Sequence, residues 1–155
     1  MTYTAAKSRP NFTYDNKLLM KDAGLIAADA AWLVSSAAKV LDIGSGYFCG
    51  KAVFDITALE IASGDERYNL IIQGSSSATF ASDIVILAML PVGDGSTIGT
   101  AFGSSGVDVD DLAGRYVLPF TNERNNIYYR YIRGFTDVTG SIATGINFTA
   151  FVAIE

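Results

Sequence analysis

The segment Tyr128-Tyr129-Arg130-Tyr131-Ile132-Arg133 concentrates the residue types that recognise other molecules. Tyrosine and arginine are enriched where protein interfaces gain most of their energy, because each joins a flat body to polar groups that keep their hydrogen bonds after water leaves. Read as one strand over 127–133, the segment puts Tyr128, Arg130 and Ile132 on one face and Tyr129, Tyr131 and Arg133 on the other. One tyrosine face then serves the core and the face bearing arginine serves a surface. Tyr129, Arg130, Tyr131 and Arg133 are therefore candidate partner contacts. Stacking on single-stranded nucleic acid uses the same residue types. A formal net charge of −5 disfavours a phosphate backbone as the partner.

Catalytic chemistry has little to draw on. The chain has no histidine and one cysteine, so neither a Ser-His-Asp nor a Cys-His arrangement can be built, and the commonest zinc ligand is missing. Cys49, beside Phe48 and Gly50, reads as a lone buried thiol, and an intrachain disulfide is impossible. Gly44-Ser45-Gly46 with Gly50 lacks the helix that a phosphate-binding loop needs behind it, so it reads as a turn. Asp108, Asp110 and Asp111 are the densest carboxylates. Without the twelve-residue calcium-loop pattern they read as a solvated acidic turn. Trp32 is expected in the core rather than on a sugar-stacking platform. These readings predict no enzyme, no cofactor and no metal.

The elements that must carry the tyrosine–arginine segment are strands. Ala52, Phe54 and Ile56 alternate with Val53, Asp55 and Thr57, the period of a half-buried strand. A second strand runs over 68–73 and is expected to end at Gly74. The run from Asp83 to Leu90, apolar after its first residue and closed by Pro91, predicts a strand buried on both faces. Residues 116–120 form a short strand in which Pro119 points to an edge or a bulge. Ile146, Phe148, Ala150, Val152 and Ile154 alternate in the final strand. Residues 22–40 are ambiguous: alanines and a capping Asp22 suit a helix, whereas Gly24, the Ser35-Ser36 pair and the absence of an apolar stripe favour extended structure. Gly93 to Gly106 contains five glycines and reads as a long loop.

At 155 residues one domain is expected: an all-β, antiparallel β-sandwich or jelly roll over 21–155, preceded by an extended arm over 1–20. Charge is uneven, at +2 over 1–51, −8 over 52–111 and +1 over 112–155. Charged residues make up 17% of the chain, below the ~25% usual for soluble domains, which favours a surface covered by a protein partner. No signal peptide or membrane-crossing run is expected, and the Asn-Phe-Thr sequons at Asn11 and Asn147 read as chance matches.

Tyr14-Asp15-Asn16-Lys17-Leu18-Leu19-Met20, then Asp42-Ile43-Gly44 with its glycine-rich turn, Ala81-Ser82-Asp83 and the alternating last strand together resemble the capsid cement (decoration) proteins of tailed bacteriophages, a family typified by a Bordetella phage. The resemblance spans most of 13–155. It implies a jelly roll that forms homodimers, with a trimer as the other option. It also implies binding to the outside of a capsid, where the protein bridges major capsid subunits and is assembled in the host cytoplasm. Catalysis, cofactor and metal have no place in that role. The motif adds Tyr14, Asp15, Asn16, Lys17 and Leu18 to the expected contacts, and the basic arm adds Lys7 and Arg9, with Lys17 and Lys21, as a docking element. The alternative is a carbohydrate- or receptor-binding module of a tail fibre or baseplate.

Overall fold

Alternation of apolar and polar residues makes a strand with one dry and one wet side. The last strand follows this rule closely: Ile146, Phe148, Ala150 and Val152 all lie in the central core. The computed structural model describes residues 15–94 and 111–154. Within them lie a single 3-10 turn at Asn16–Leu18, a set of strands and no α-helix. The long strands are β7 (Cys49–Leu59), β8 (Arg67–Ser75), β9 (Val85–Gly93), β10 (Gly114–Thr121), β13 (Tyr131–Thr139) and β14 (Ile146–Ala153). The short ones are β1 (Leu19–Lys21), β2 (Leu25–Ile26), β3 (Ala30–Ala31), β4 (Leu33–Val34), β5 (Ala37–Ala38), β6 (Val40–Asp42), β11 (Glu123–Arg124) and β12 (Ile127–Tyr128).

The strands form the expected antiparallel sandwich. One sheet has the order β1-β14-β7-β10, with β2 also on β14; the other has β3-β13-β8-β9, with β6 also on β13. Residues 22–40 are extended, and Ser35 and Ser36, both at positive φ, form the two-residue turn between β4 and β5. The alanine-rich composition loses to the turn because helix propensity is only a weak prior. Pro119 lies on β10, an edge strand, where its missing N–H breaks no ladder. β8 does not stop at Gly74 but pairs with β9 and β13 through it.

Two readings need correction. The 83–90 stretch is not buried on both faces: among the described residues β9 pairs only with β8, Ile86 and Met89 are exposed, and Pro91 lies inside the strand. Cys49 is exposed rather than buried.

Trp32 sits between the sheets. Its ring is fully buried and edge-on to Phe54 and Phe148 of the first sheet, with centroids 5.7 and 5.3 Å away. Its Nε1–H donates to Thr136 Oγ1 of the second sheet at 2.8 Å. Beside Thr136 on β13, Gly134 leaves the floor on which the indole lies: a Cβ there would fall 1.7 Å from the ring. Gly134→Ala must therefore displace the tryptophan, with an expected loss of about 3 kcal/mol or more in chemical denaturation.

Lys21 closes the other end of β14. Only 4% exposed, its ammonium donates to the carbonyls of Asp22, Gly24 and Phe148, saturating all three protons where β14 departs from regular register at Asn147/Phe148. It also lies 4.5 Å from the centre of the Phe148 ring. Burial pushes its pKa down to about 8, with Asp22 opposing. Lys21→Met leaves three carbonyls without a donor and is expected to lower stability by about 2–3 kcal/mol. The folded chain gives up this proton before the unfolded chain does. Wild type should thus gain stability relative to Lys21→Met as pH rises from 8 towards 10.5, a slope that denaturation at several pH values will reveal.

Candidate functional site

The tyrosine–arginine segment does not form one strand. It crosses from β12 into β13 with a break at Tyr129 and Arg130. Burial therefore follows a different rhythm from the expected one: Tyr128 is exposed, Tyr129 is buried, Arg130 is exposed and Ile132 is in the core. Tyr129 points its ring inward and offers no surface contact.

The break is held by Asn122, which is fully buried. Its Oδ1 accepts the Phe48 N–H at 2.7 Å, while its Nδ2 donates to the carbonyls of Gly46 at 2.8 Å and Tyr129 at 3.2 Å. The backbone of Asn122 adds bonds to Phe48 and Tyr129. One amide thus joins the loop at 43–48 to both ends of the β11–β12 hairpin. The hairpin turns through Asn125 and Asn126, both at positive φ, the twist a two-residue hairpin requires and asparagine tolerates. Beneath them, Phe48 packs on Phe120 at 5.8 Å.

On this support stands an aromatic pair. Tyr47 is 60% exposed and Tyr128 50%, and their rings meet edge to face with centroids 6.1 Å apart. Ile127, also exposed, lies beside Tyr128 on β12. The Tyr47 hydroxyl pKa is raised, first by desolvation and then by Cys49, Glu123 and Tyr128. Arg130 forms a two-pronged ion pair with Asp42, Nε to Oδ1 at 2.8 Å and Nη2 to Oδ2 at 2.7 Å. The Arg130 hydrogen bonds, helped by the Gly44 N–H, hold the Asp42 carboxyl at about 2. Arg130 also covers the ring of Tyr131. Arg133 lies on the outer face of the second sheet, bonded to Gln73 Oε1 at 2.8 Å and stacked 4.4 Å from the Phe80 ring centre.

The remaining expected contacts lie elsewhere. Asp15 caps the 3-10 turn, its Oδ1 accepting the Lys17 N–H at 2.9 Å; Asp15, Asn16 and Lys17 are exposed and Leu18 half-buried. Lys21, expected on the docking arm, is instead the buried staple of β14 and cannot reach a partner. Lys7, Arg9 and Tyr14, like Asp108 and Asp110, fall outside the described residues. Tyr47 and Asn122 were missed by sequence reasoning. Nothing marks Asn122 in the chain, whereas Tyr47, next to a glycine-rich turn, carried the signal of an aromatic on a loop. Among the described residues no cluster of three histidine, cysteine or carboxylate side chains could hold a metal.

Compared with models of protein families and with curated proteins, the chain matches none.

Asn122→Ala removes all three side-chain hydrogen bonds at a fully buried position. The expected loss is about 2–4 kcal/mol. Amides of 43–48 and 122–130 should exchange hydrogen faster than in wild type, while those of β14 stay protected below the threshold of global unfolding.

Proposed function

We propose that this chain is a structural virion protein that binds the outside of a tailed-phage capsid and stabilises it by bridging major capsid subunits. The observation that carries the reading is the aromatic tip: Tyr47, Ile127 and Tyr128 stand exposed on a rigid buried amide, beside an arginine already held in place by Asp42. Preorganised tyrosine and arginine surfaces lose little side-chain entropy on docking, the condition for an interface hot spot. The strand order adds support. With β1 and β2 counted as one strand and β3 and β6 as another, eight strands form two facing antiparallel sheets, which supports the jelly roll implied by the resemblance to cement proteins.

The carboxylates favour a role without catalysis. Asp55 is paired with Arg115 at 2.6 Å. Glu60 accepts the N–H groups of Ala143, Thr144 and Gly145; bonds from Gly145 and Thr144 outweigh desolvation and lower its pKa. Desolvation acts to raise Glu66, but N–H groups of Ser63 and Asp65 hold it low as well. A general acid working near neutral pH needs the opposite shift. The carboxylates act as loop fasteners.

A carbohydrate-binding role for a tail fibre would also use the exposed Tyr47–Tyr128 pair, although Trp32, buried, takes no part in it. Binding of Tyr128→Ala to purified capsids of the parent phage decides between them. The capsid reading expects occupancy to fall about tenfold or more with the melting temperature of the free protein unchanged. Undiminished occupancy, or specific retention on a glycan array instead, would sink it.

A further inference from the structure

Strand alternation turns Ala52, Phe54 and Ile56 of β7, and Ala150 and Val152 of β14, into the core between the sheets. Val53, Phe151 and Ala153 therefore point the opposite way, onto the outer face of the first sheet. The outer face of an antiparallel sandwich ordinarily meets water. Yet Val53 is fully buried, and Phe151 and Ala153 are only 7% and 2% exposed. The three form a second apolar cluster, apart from the core, with Leu19 of β1 packed against it. Dry side chains on an outer face imply a cover.

Burial across this face is lopsided. Val117, paired with Val53 from β10, is 38% exposed, and Pro119 on the same strand is exposed too. The dry side is that of β1, β14 and β7; the wet side is β10. Two segments outside the described residues lead into this sheet. Residues 95–110 approach β10, on the wet side, and enter it at Gly114 opposite Ile56, well away from Ala153 opposite Lys51. Residues 1–14 approach β1, on the dry side, where Leu19 pairs with Phe151 itself. A tight turn at Asn16–Leu18, closed by the Leu18 N–H on the Asp15 carbonyl, bends the chain just before β1.

Composition agrees with position. Over Pro10-Asn11-Phe12-Thr13-Tyr14 apolar and polar residues alternate, the period of an extended segment with one dry side. Five extended residues span about 16 Å and the step from β1 to β7 is about 10 Å, so this stretch is long enough to cross the cluster. Beside the cluster the face sinks into a hollow of about 390 Å³ with Asp22, Asp55 and Arg115 in its walls. Two carboxylates to one guanidinium favour a basic visitor. Residues 1–14 bring Lys7, Arg9 and no acid, whereas 95–110 bring Asp108, Asp110 and no base. We propose that residues 10–14 lie as an extended strap across the outer face of their own first sheet, with Phe12 against Val53, Phe151 and Ala153. Asn11 and Thr13 then stay on the water side. The arm expected to grip a partner is thereby seated on its own domain, whether or not that partner is a capsid.

Nuclear Overhauser spectroscopy of the full chain with labelled methyl groups tests it. Cross-peaks are expected from the Val53 methyls to the ring protons of Phe12, and Phe12→Ser should remove them. The same variant uncovers the cluster, so it should bind the dye anilinonaphthalene sulfonate several-fold more than wild type does. Circular dichroism and the methyl shifts of Ile132, deep in the core, should stay as in wild type. Val117→Ser, on the wet side of the same face, should leave both the cross-peaks and the dye binding unchanged. Val53 methyls that meet no ring proton of Phe12 overturn the proposal. So do cross-peaks that arise only between chains in a mixture of labelled and unlabelled protein, and a Phe12→Ser chain that takes up no more dye than wild type.

Discussion

Trp32 sets how the two sheets meet. Its indole needs an apolar wall on one side and a polar acceptor on the other, and the fold supplies Phe54 and Phe148 from the first sheet and Thr136 from the second. Gly134 matters because nothing larger leaves room for the ring. The tryptophan's backbone is tied in as well, donating to the Gly134 carbonyl and accepting from the Lys39 N–H. Through these bonds the irregular run of short strands over 25–42 is moored to β13. Once β13 is positioned by the core, Asp42 at its edge lies opposite Tyr131, and Arg130 next in sequence reaches the Asp42 carboxylate.

From there the aromatic tip follows with few further degrees of freedom. Asn122 converts the position of β10's end into the position of the loop at 43–48 and of the β11–β12 hairpin. A buried amide bonded at its oxygen and through both N–H groups is rigid in a way that exposed hydrogen bonds are not, because each alternative arrangement strands a polar group away from water. The exposed tyrosines thus rest on a part of the molecule with little freedom to move, while the charges around them are held in place, Arg130 by Asp42, Glu123 by the Asn126 N–H and Arg124 by the Ile86 carbonyl.

Where burial and chain period coincide, the sequence was legible. β14 places Ile146, Phe148, Ala150 and Val152 in the central core as its period predicts, and its other face is also covered at Phe151 and Ala153. Pro119 marked an edge because a residue without an N–H cannot sit between two partners. The stretch over 127–133 misled because alternation assumes an unbroken strand; the break at Tyr129 and Arg130, held by Asn122 more than five residues away, separates Tyr129, which is buried, from Tyr131 and Arg133, and turns Ile132 away from Tyr128 and Arg130 into the core. Cys49 misled for a simpler reason, since Phe48 and Gly50 beside it in sequence do not determine its depth. Lys21 looked like part of a basic arm, and only the fold shows its stem among buried residues with three carbonyls at its head. β9 read as an interior strand from composition alone, because apolar residues do not say on which side of a sheet a ladder ends.

The most direct test of the tip as the binding surface is hydrogen exchange of the protein free and bound to capsids of the parent phage. Slowed exchange at 43–48 and 123–130, with β1 and the loop at 60–66 unchanged, is the predicted pattern. Slowing confined to other parts of the surface, with the tip exchanging as freely on the capsid as off it, would contradict the account.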